Sequence, residues 1–376
     1  MKTSRLFANM ETGSTDKMNE VIGIKDVAKI ANVGISTVSR VLNNSAGVSD
    51  ELRARVLEAV EKSGYTSNPV ARMLKSARTN NIALLVTSLK RNFYINIIRG
   101  ITDVCKENQF SVHILQTGDS IEEEINLVDT MVKQWVDGII LVTSVSERND
   151  LTAPYLDSLS QLKKRDIPIP VVQLEVPCLN PEVDSVVVDH EAAAFHAVSH
   201  LLEIGRRRIA YISIPEAAPM AGMRMKGYLR ALAAAGIEAD RDLISFGHYE
   251  VLDGYNCMKE ILQRGKDFDG LFGANDQMAV GAMYACKEAG LKVPEDVAVI
   301  GHDNVAMSAL AAPAVSTISV SKYKYGQAAA HLLLDRIRNP KAEGEKAKSI
   351  QINMEVLIRE STLKSAKKSL EFLDIE

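Results

Sequence analysis

The chain has 376 residues, 46% of them hydrophobic and 24% charged, and a net charge of −4. These are ordinary globular values, and the length suits two or three domains. No apolar run reaches the roughly 18 residues that span a bilayer, and the start of the chain lacks the apolar segment of a signal peptide. The four cysteines form no CxxC pair. We therefore expect a cytoplasmic protein with reduced thiols, no membrane association and a disordered extension at residues 1–22.

The segment IKDVAKIANVGISTVSRVLNN, residues 24–44, predicts two short helices joined by a turn. Apolar residues recur at helical spacing in its first half, and Gly34 in the turn can adopt backbone conformations that other residues avoid. The second helix has an apolar face of Val38, Val41 and Leu42 and an opposite face of Ser36, Arg40 and Asn43, flanked by Thr37 and Ser39. This pattern is typical of a helix-turn-helix, although a helical hairpin with a solvated polar face has the same periodicity.

A third helix from Asp50 to Gly64, with Ser49 as its N-cap, completes a predicted head at residues 23–66. Residues 24–78 carry nine basic and five acidic side chains, whereas the rest of the chain is acidic. A basic head on an acidic body suits local contact with phosphates. In residues 67–80, Pro69 suits the first turn of a short helix. Such a helix is marginal alone, so this segment is either a plain linker or folds only against a partner.

From Ile82 onwards, apolar strand patterns alternate with helical patterns. The predicted strands lie at 82–86, 111–115, 138–142, 170–174, 185–188, 208–213, 269–274, 297–301 and 316–320, and the predicted helices at 97–107, 121–134, 192–204, 225–235, 278–289 and 325–337. Fully apolar strands that alternate with helices indicate an α/β fold of parallel sheets covered on both faces. Because so many strands exceed one core, residues 81–361 should form two lobes. We place lobe 1 at about 81–175 and 310–340, and lobe 2 at about 176–309 and 341–361.

Taken together, these segments resemble the LacI/GalR family of bacterial transcription regulators, from Ile24 to about Ser361. Besides the helix-turn-helix, the resemblance rests on NPVARML, WVDGIIL, GRRRIAYI, GMRMKGY, GANDQMAVGAMYA, VPEDVAVIGHDN and INMEVLIRES. It implies a small all-α DNA-binding head, a hinge helix and a two-lobed core like that of type I periplasmic binding proteins. It also implies a repressor that binds a pseudo-palindromic operator in double-stranded DNA as a homodimer and responds to a small-molecule effector.

By this resemblance, the second helix of the head reads the major groove through Ile35, Ser36 and Arg40. Arginine can bond O6 and N7 of guanine together, whereas the apolar Ile35 favours a thymine methyl group. The implied backbone contacts are Thr37, Ser39 and Asn43, and the implied minor-groove contacts of the hinge are Ala71, Leu74 and Lys75, with Leu74 as an apolar wedge. Gly23 and Gly34 stand where family members usually have Ser or Thr caps, so we expect somewhat weaker anchoring to phosphates.

The resemblance assigns the effector to the cleft between the lobes, at the carboxyl ends of parallel strands. The implied effector-binding residues are Phe93, Tyr94, Glu175, Arg224, Tyr249, Asn275, Asp276 and Asp303. Their polar groups suit hydroxyls or a carboxylate, and the aromatic rings offer flat apolar faces. Ala218 and Met220 replace polar contacts of purine-binding members, which favours a sugar or sugar acid. Alternatively, Asp276 caps the following helix and Phe93 belongs to the core.

Other interpretations have weaker support. His196 and His200 have the i, i+4 spacing of a zinc site but lack the intervening Glu of a zinc hydrolase, so we expect no metal and no cofactor. No nucleotide-binding or nucleophile motif occurs, which argues against an enzyme. In the tail at 362–376, apolar residues at heptad spacing could join dimers into tetramers. Control by a co-repressor or a partner protein stays open, and a sugar-binding receptor is the rival from another class.

Overall fold

A computed structural model of the chain describes residues 22–42, 47–65, 78–342 and 344–366. The chain divides into two compact units between Arg78 and Thr79, here called the head and the core. Three predicted segments lie largely outside the described residues. They are the extension at 1–22 except for Ile22, most of the hinge, and the tail beyond Ala366. In the described part of the chain, no helix has the length and apolar character needed to cross a membrane.

The head contains three helices, α1 (Ile24–Ala31), α2 (Ile35–Leu42) and α3 (Asp50–Ser63). Seven small or β-branched side chains form its core: Val27, Ala28, Ala31, Val38, Val41, Val56 and Ala59. Helix α3 has the predicted ends, because the Ser49 hydroxyl accepts a hydrogen bond from the amide of Leu52 and Gly64 adopts a left-handed φ of 65°. The amphipathic spacing of the sequence is therefore satisfied by one small shared core.

The turn of the helix-turn-helix corrects one expectation. Its left-handed residue is Asn32, with φ of 49°, and Gly34 has no positive φ. Asparagine tolerates this conformation better than most residues because its short polar side chain can bond locally. Gly34 instead starts α2, where its carbonyl accepts hydrogen bonds from the amides of Thr37 and Val38.

The core contains two six-stranded sheets in its described residues, each at the centre of one lobe. Lobe 1 has the strand order β13-β7-β6-β3-β1-β2, and lobe 2 has the order β14-β12-β11-β10-β8-β9. The strands of lobe 1 are β1 (Asn81–Val86), β2 (Ser111–Gln116), β3 (Gly138–Val142), β6 (Val171–Glu175), β7 (Asp184–Val187) and β13 (Ser349–Gln351). Those of lobe 2 are β8 (Ile209–Ser213), β9 (Ile244–Phe246), β10 (Gly270–Gly273), β11 (Ala298–His302), β12 (Ser316–Val320) and β14 (Met354–Leu357). Within these sheets only β14 pairs antiparallel with its neighbour, and a separate ribbon joins β4 (Lys163–Lys164) to β5 (Ile167–Pro168).

Helices cover both sheets, as buried parallel strands require. The helices are α4 (Phe93–Glu107), α5 (Ile121–Lys133), α6 (Ala153–Ser158), α7 (His190–Glu203), α8 (Ala221–Ala234), α9 (Val251–Gln263), α10 (Asp276–Glu288), α11 (Ala306–Leu310) and α12 (Lys322–Arg338). Helix α12 packs against α4 and the sheet of lobe 1, although it follows the last parallel strand of lobe 2. The chain therefore returns to lobe 1 after it has completed most of lobe 2.

The lobe boundaries predicted from the sequence are wrong at all three crossings. The first crossing follows Val187 rather than residue 175, because β7 pairs with β6 and remains in lobe 1. The second follows Val320 rather than residue 309, since β12 pairs with β11. The third follows Gln351 rather than residue 340, because β13 pairs with β7. Strand pairing between distant segments decides these boundaries, and no local sequence pattern encodes it.

Helices α9 and α10 approach each other closely through two glycines. A Cβ atom on Gly281 would lie 1.8 Å from the carbonyl oxygen of Val251, and one on Gly254 would lie 2.1 Å from that of Met278. Both obstacles are backbone atoms, which cannot rotate away as a side chain could. The contact therefore fixes how α9 sits beside the strand ends of lobe 2.

We expect Gly281→Ala to destabilise the core, because the helices must separate to admit the methyl group. Overpacking of this kind costs about 1–3 kcal/mol. Thermal unfolding of the full chain measures the loss. Gly222→Ala is the matched control, since Gly222 is also helical and a Cβ atom added there would meet nothing within 4 Å. Equal melting temperatures for Gly281→Ala and the unchanged chain would contradict the close approach.

Candidate functional site

Helix α2 presents the predicted base-reading residues to solvent. Ile35 is 46% exposed, although it is apolar, and Ser36 and Arg40 are also exposed. Val38 and Val41 point into the core of the head on the opposite side of the helix. Thr37 and Ser39 are half-buried at the flanks, and Asn43 lies outside the described residues. The described residues of α2 therefore have the orientation that contact with a DNA groove requires.

Hydrogen bonds fix the start of α1 and the turn between α1 and α2. Arg55 on α3 donates to the carbonyl oxygens of Ala31 and Asn32, at 2.7 and 3.2 Å, and so ties α3 to the turn. At the start of α1, the Asp26 carboxylate accepts a hydrogen bond of 2.9 Å from the amide of Gly23. This bond compensates in part for the missing hydroxyl cap at Gly23. The predicted hinge contacts Ala71, Leu74 and Lys75 lie outside the described residues.

The second candidate site is a small cavity of about 20 Å³, room for about one water molecule, between the two lobes of the core. It is lined by Arg91, Phe93, Tyr94, Glu175, Met220, Arg224, Tyr249, Asn275, Gln277 and Asp303. Most of these residues follow the carboxyl end of a strand, and the two sheets therefore deliver them from opposite sides. Seven of the eight predicted effector residues line this one cavity, and Asp276 is the exception.

Three residues of the cavity have left-handed backbone conformations that non-glycine residues seldom adopt. The φ angles are 71° for Glu175, 77° for Tyr249 and 102° for Asp303. Each such conformation has a cost of about 1–3 kcal/mol and persists only where surrounding contacts enforce it. Backbone strain of this kind is common at ligand-binding sites, which makes the cavity a candidate site.

On the lobe 1 side, Glu175 is buried at the end of β6. One of its carboxylate oxygens accepts a hydrogen bond of 3.0 Å from the hydroxyl of Tyr94, which in turn lies 3.2 Å from the hydroxyl of Thr87. The amide of Glu175 bonds to the hydroxyl oxygen of Tyr325 on α12. Burial raises the pKa of the Glu175 carboxyl, while the charge of Arg224 opposes this shift. The cavity thus contains a carboxyl group whose protonation a polar ligand can influence.

On the lobe 2 side, Arg224 is buried in α8. It donates to the carbonyl oxygen of Ala274, and its guanidinium lies 3.4 Å from Nδ1 of His190 and 4.0 Å from a carboxylate oxygen of Asp303. Its Nε is buried and has no hydrogen-bond partner among the residues that the structure describes. Burial raises the pKa of Asp303 to about 6, against the opposing charges of Arg224 and Lys322. Arg224 therefore places a positive charge in a largely dehydrated part of the cleft.

Asn275 and Asp276 have different roles, although they are adjacent. Asn275 caps α10 by accepting from the amide of Met278 and donates a hydrogen bond of 2.8 Å to the carbonyl oxygen of Tyr249. Asp276 is fully buried behind the cavity, where it accepts hydrogen bonds from the amide of Val305 and the hydroxyl of Thr317. It cannot touch a ligand in this arrangement, because these contacts face the interior of lobe 2.

Sequence reasoning missed Arg91 and Gln277 among the lining residues, and it named Met220 only as a departure from other members. Arg91 contacts Tyr249 across the cavity, with its guanidinium carbon 3.7 Å from the ring centroid. Gln277 donates a weak hydrogen bond of 3.3 Å to Glu250. The position of Gln277 two residues after Asn275, at the end of β10, was a usable signal, whereas nothing local distinguished Arg91 from a surface arginine.

Two family models match the two units of this architecture. Residues 23–68 match bacterial regulatory proteins of the lacI family, and residues 79–360 match periplasmic binding proteins and the sugar-binding domain of the LacI family. The chain belongs to the LacI family. Both the helix-turn-helix head and the two parallel-sheet lobes are confirmed as the fold of this family.

Individual LacI-family proteins support the same assignment. The HTH-type transcriptional repressor PurR of Mannheimia succiniciproducens is 34% identical over 91% of this chain and 99% of its own length. The structure of a complex of the transcriptional regulator CelR with cellobiose is similar, with a TM-score of 0.65 and 31% identity over 90% of this chain and 99% of that one. The lac repressor dimer bound to operator and the anti-inducer ONPF gives a TM-score of 0.78 at 26% identity, over 91% and 99%. The chain is a DNA-binding transcriptional repressor of the LacI family, and its relatives are regulators rather than enzymes.

The buried Asp276 gives a testable pH dependence. Burial, together with the nearby charge of Asp303, raises the pKa of Asp276 to about 7. The folded state therefore holds this proton more tightly than the unfolded state, and the resulting stability is lost as pH rises through 7. Relative to Asp276→Asn, we expect the unchanged chain to gain about 2 kcal/mol between pH 8 and pH 5.5.

Chemical denaturation at several pH values measures this difference. Both chains retain the buried His190 and His302, so their contributions to the pH dependence of stability are common to the two chains and cancel in the difference. Asp267→Asn is the control, because it makes the same substitution at an exposed carboxylate of lobe 2. A pH-independent difference between Asp276→Asn and the unchanged chain would contradict a raised pKa.

Proposed function

We propose that this LacI-family repressor acts in the cytoplasm as a homodimer on a pseudo-palindromic operator, and that a sugar or sugar acid in the interlobe cleft controls it. The convergence of seven predicted effector residues on one strained cavity carries this proposal. A repressor needs two sites whose states are linked, and a cleft between two lobes lets a ligand favour one lobe arrangement over another. Control of a carbohydrate-use operon is the physiological role that such an effector implies.

The base-reading role of α2 is supported by its exposure. Ile35, Ser36 and Arg40 share the solvent face, which leaves an apolar group, a hydroxyl and a guanidinium available to base edges. Thr37 and Ser39 lie beside them and suit phosphates, as does Asn43 in our proposal. A Cβ on Gly34 would lie 3.5 Å from the hydroxyl oxygen of Ser36, so the site has room for the missing cap. Steric exclusion therefore does not explain why glycine stands at position 34.

The segment between head and core supplies the proposed hinge. Leu74 would enter the minor groove as an apolar wedge, with Ala71 and Lys75 beside it. A helix of this length is unstable alone, so DNA binding and hinge folding would occur together. Any lobe arrangement that separates two hinges in a dimer would then weaken binding to both half-sites.

The homodimer is supported by an apolar groove on lobe 2. Its lining includes Val280, Met283 and Tyr284 on α10 and Leu310 on α11, with Tyr284 61% and Leu310 68% exposed. A contiguous apolar surface of this kind is unusual on a monomer. The similar lac repressor structure is described as a dimer. The heptad pattern of the tail is a weaker basis for tetramers, because Leu370 and Leu373 lie outside the described residues.

The effector class is supported by the chemistry of the cleft. Asn275, Gln277 and Asp303 offer amide and carboxylate groups for hydroxyls, and Arg224 offers a paired donor for a carboxylate. Met220 adds an apolar surface where polar contacts would otherwise stand. The similar CelR structure was obtained with cellobiose. A co-repressor that tightens DNA binding and a partner protein are the alternatives within the regulator class.

We expect the full chain to select one palindromic sequence from random duplex DNA, and Arg40→Ala to lose discrimination at one position of each half-site. Loss of a bidentate guanine contact is worth about 1–3 kcal/mol. Binding should also fall steeply with salt, because phosphate contacts release counterions. Fluorescence anisotropy with the selected duplex and with mismatched duplexes measures both effects.

Lys62→Ala is the matched control, since it removes the same charge from an exposed position on α3. It should change affinity for all duplexes by a similar small factor. Equal discrimination by Arg40→Ala and Lys62→Ala would show that Arg40 does not read bases. A chain without sequence preference would contradict the proposed pseudo-palindromic operator.

In a panel of cellobiose, glucose, gluconate and hypoxanthine, we expect one of the first three compounds to stabilise the full chain and to lower its operator affinity. At a hundredfold excess over its Kd, a ligand adds about 2.7 kcal/mol to stability. Thermal shift and anisotropy measure the two effects. Arg224→Lys should weaken binding at least about tenfold for an anionic ligand, because the bidentate geometry is lost.

Arg230→Ala on the same helix is the control, since Arg230 is exposed and pairs with Glu191 away from the cavity. Stabilisation combined with tighter operator binding would identify a co-repressor. Hypoxanthine as the stabilising compound would contradict the assignment to sugars. A response to none of the four would favour control by a partner protein.

A further inference from the structure

A side-chain contact between Arg91 and Tyr249 bridges the two lobes at the cavity. Arg91 lies in the loop between β1 and α4 of lobe 1, and Tyr249 lies between β9 and α9 of lobe 2. The guanidinium carbon of Arg91 is 3.7 Å from the centroid of the Tyr249 ring. At this distance the cation rests directly on the aromatic face, where the attraction is favourable.

Lobe 1 holds Arg91 firmly in place. One terminal nitrogen donates a hydrogen bond of 2.6 Å to the hydroxyl of Thr87, and the other forms an ion pair of 2.6 Å with Asp119. Only 12% of the Arg91 side chain is exposed. A surface arginine would sample many rotamers, but this one is oriented by two partners from its own lobe. Its contact with the other lobe is therefore a built feature.

Lobe 2 holds Tyr249 with equal definition. Its φ is 77°, and its carbonyl oxygen accepts a hydrogen bond of 2.8 Å from the side chain of Asn275. Its hydroxyl lies 3.9 Å from the sulfur of Met220. The ring face is consequently presented towards lobe 1 by a strained loop that two neighbours support.

The ring of Tyr249 is also a natural place for a ligand to stack. Arg91 and Tyr249 both line the cavity, together with Phe93 and Tyr94 of lobe 1. Aromatic faces in such cavities receive the apolar face of a sugar or the plane of a base. Because the Arg91 guanidinium already covers one face of this ring, a ligand that stacks on that face must displace it.

We propose that Arg91 is a latch, which holds the lobes together in the ligand-free repressor and which an effector must displace from Tyr249. The latch itself operates without a ligand, whereas its competition with the effector rests on the function proposed above. Arg91 therefore sets a threshold: a compound that cannot replace the cation on the ring gains no access to the full site. Asp119 and Thr87 act as positioning residues, since they touch Arg91 and not the cavity.

Hydrogen exchange on the ligand-free full chain tests the latch. Arg91→Ala should speed amide exchange in the loops 88–92 and 247–250 and at the crossings near 188, 321 and 352. The expected increase is about threefold to thirtyfold, the range that cation–π contacts correspond to. Lys90→Ala, at an exposed neighbouring position, should leave exchange unchanged. Faster exchange confined to loop 88–92 would overturn the latch, because a merely local contact predicts that result.

A double-mutant cycle separates the latch from independent packing. In a latch, Tyr249→Leu and Arg91→Ala remove the same contact, so the double variant exchanges at the crossings no faster than the more affected single variant. Effects that multiply would contradict the proposal. Arg91→Lys keeps the charge but loses the planar stack, and partial opening in that variant would agree with a cation on a ring face.

Ligand binding tests the competition. With cellobiose or gluconate as the probe, Arg91→Ala should bind more tightly or associate faster, by the factor seen in hydrogen exchange. Weaker binding by Arg91→Ala would show that Arg91 is an ordinary ligand contact and would overturn the competition. If neither probe binds either chain, the effector proposal fails for these compounds, and the exchange experiment alone decides the latch.

Discussion

Parallel pairing of apolar strands is the constraint on which the core depends. Strands buried on both faces are mostly apolar along their length, and many polar groups of the core gather where the strands end. The two sheets point these ends at each other, and the cavity forms where they meet. Glu175 is the last residue of β6 and Asp303 directly follows β11, and both have positive φ where the chain leaves its sheet. The backbone strain and the lining of the cavity thus occur at the same points of the fold.

Behind the cavity, a buried network of hydrogen bonds runs through lobe 2 and reaches the start of α12. Asp276 accepts from Val305 and Thr317, and Asn304 accepts a hydrogen bond of 2.7 Å from Arg359, near the end of the described chain. Lys322 donates to the carbonyl oxygens of Asp303 and Asn304 from the first turn of α12, which belongs to lobe 1. A change at Asp303 can therefore reach a crossing segment through direct hydrogen bonds, because each of these polar groups is too deeply buried to exchange its partner for water.

Much of the fold was readable from the sequence, and the failures share a physical cause. All nine predicted strands exist, and runs such as 138–142 and 297–301 are apolar enough to be buried whichever neighbours they find. The short strands β4, β5, β9, β13 and β14 were missed. The pattern at 349–351, for example, is polar and exposed and gains its conformation from pairing with β7. The lobe boundaries failed for the same reason, as they depend on pairing between distant segments.

The residues of the candidate site, like the strands, were predictable only where position along the chain decides their placement. Residues at strand ends, such as Glu175 and Asn275, could be placed by position alone. Asp276 could not, because the choice between ligand and interior depends on one further step of rotation at the start of α10. Arg91 was not predicted as a lining residue because its aromatic partner, Tyr249, belongs to the other lobe and meets it only across the cleft.

The three crossings have a consequence for the order in which the molecule can be made. Neither lobe is one continuous stretch of chain, because β13 at residues 349–351 is an edge strand of the sheet that begins with β1 at residue 81. The head has all its helices once residue 63 has been synthesised. The first sheet, by contrast, stays incomplete until residues 349–351 have been synthesised, after every strand of lobe 2 except β14. Its apolar strands must therefore wait with an open edge while lobe 2 is made, which exposes this repressor to aggregation during synthesis more than a protein of two sequential domains.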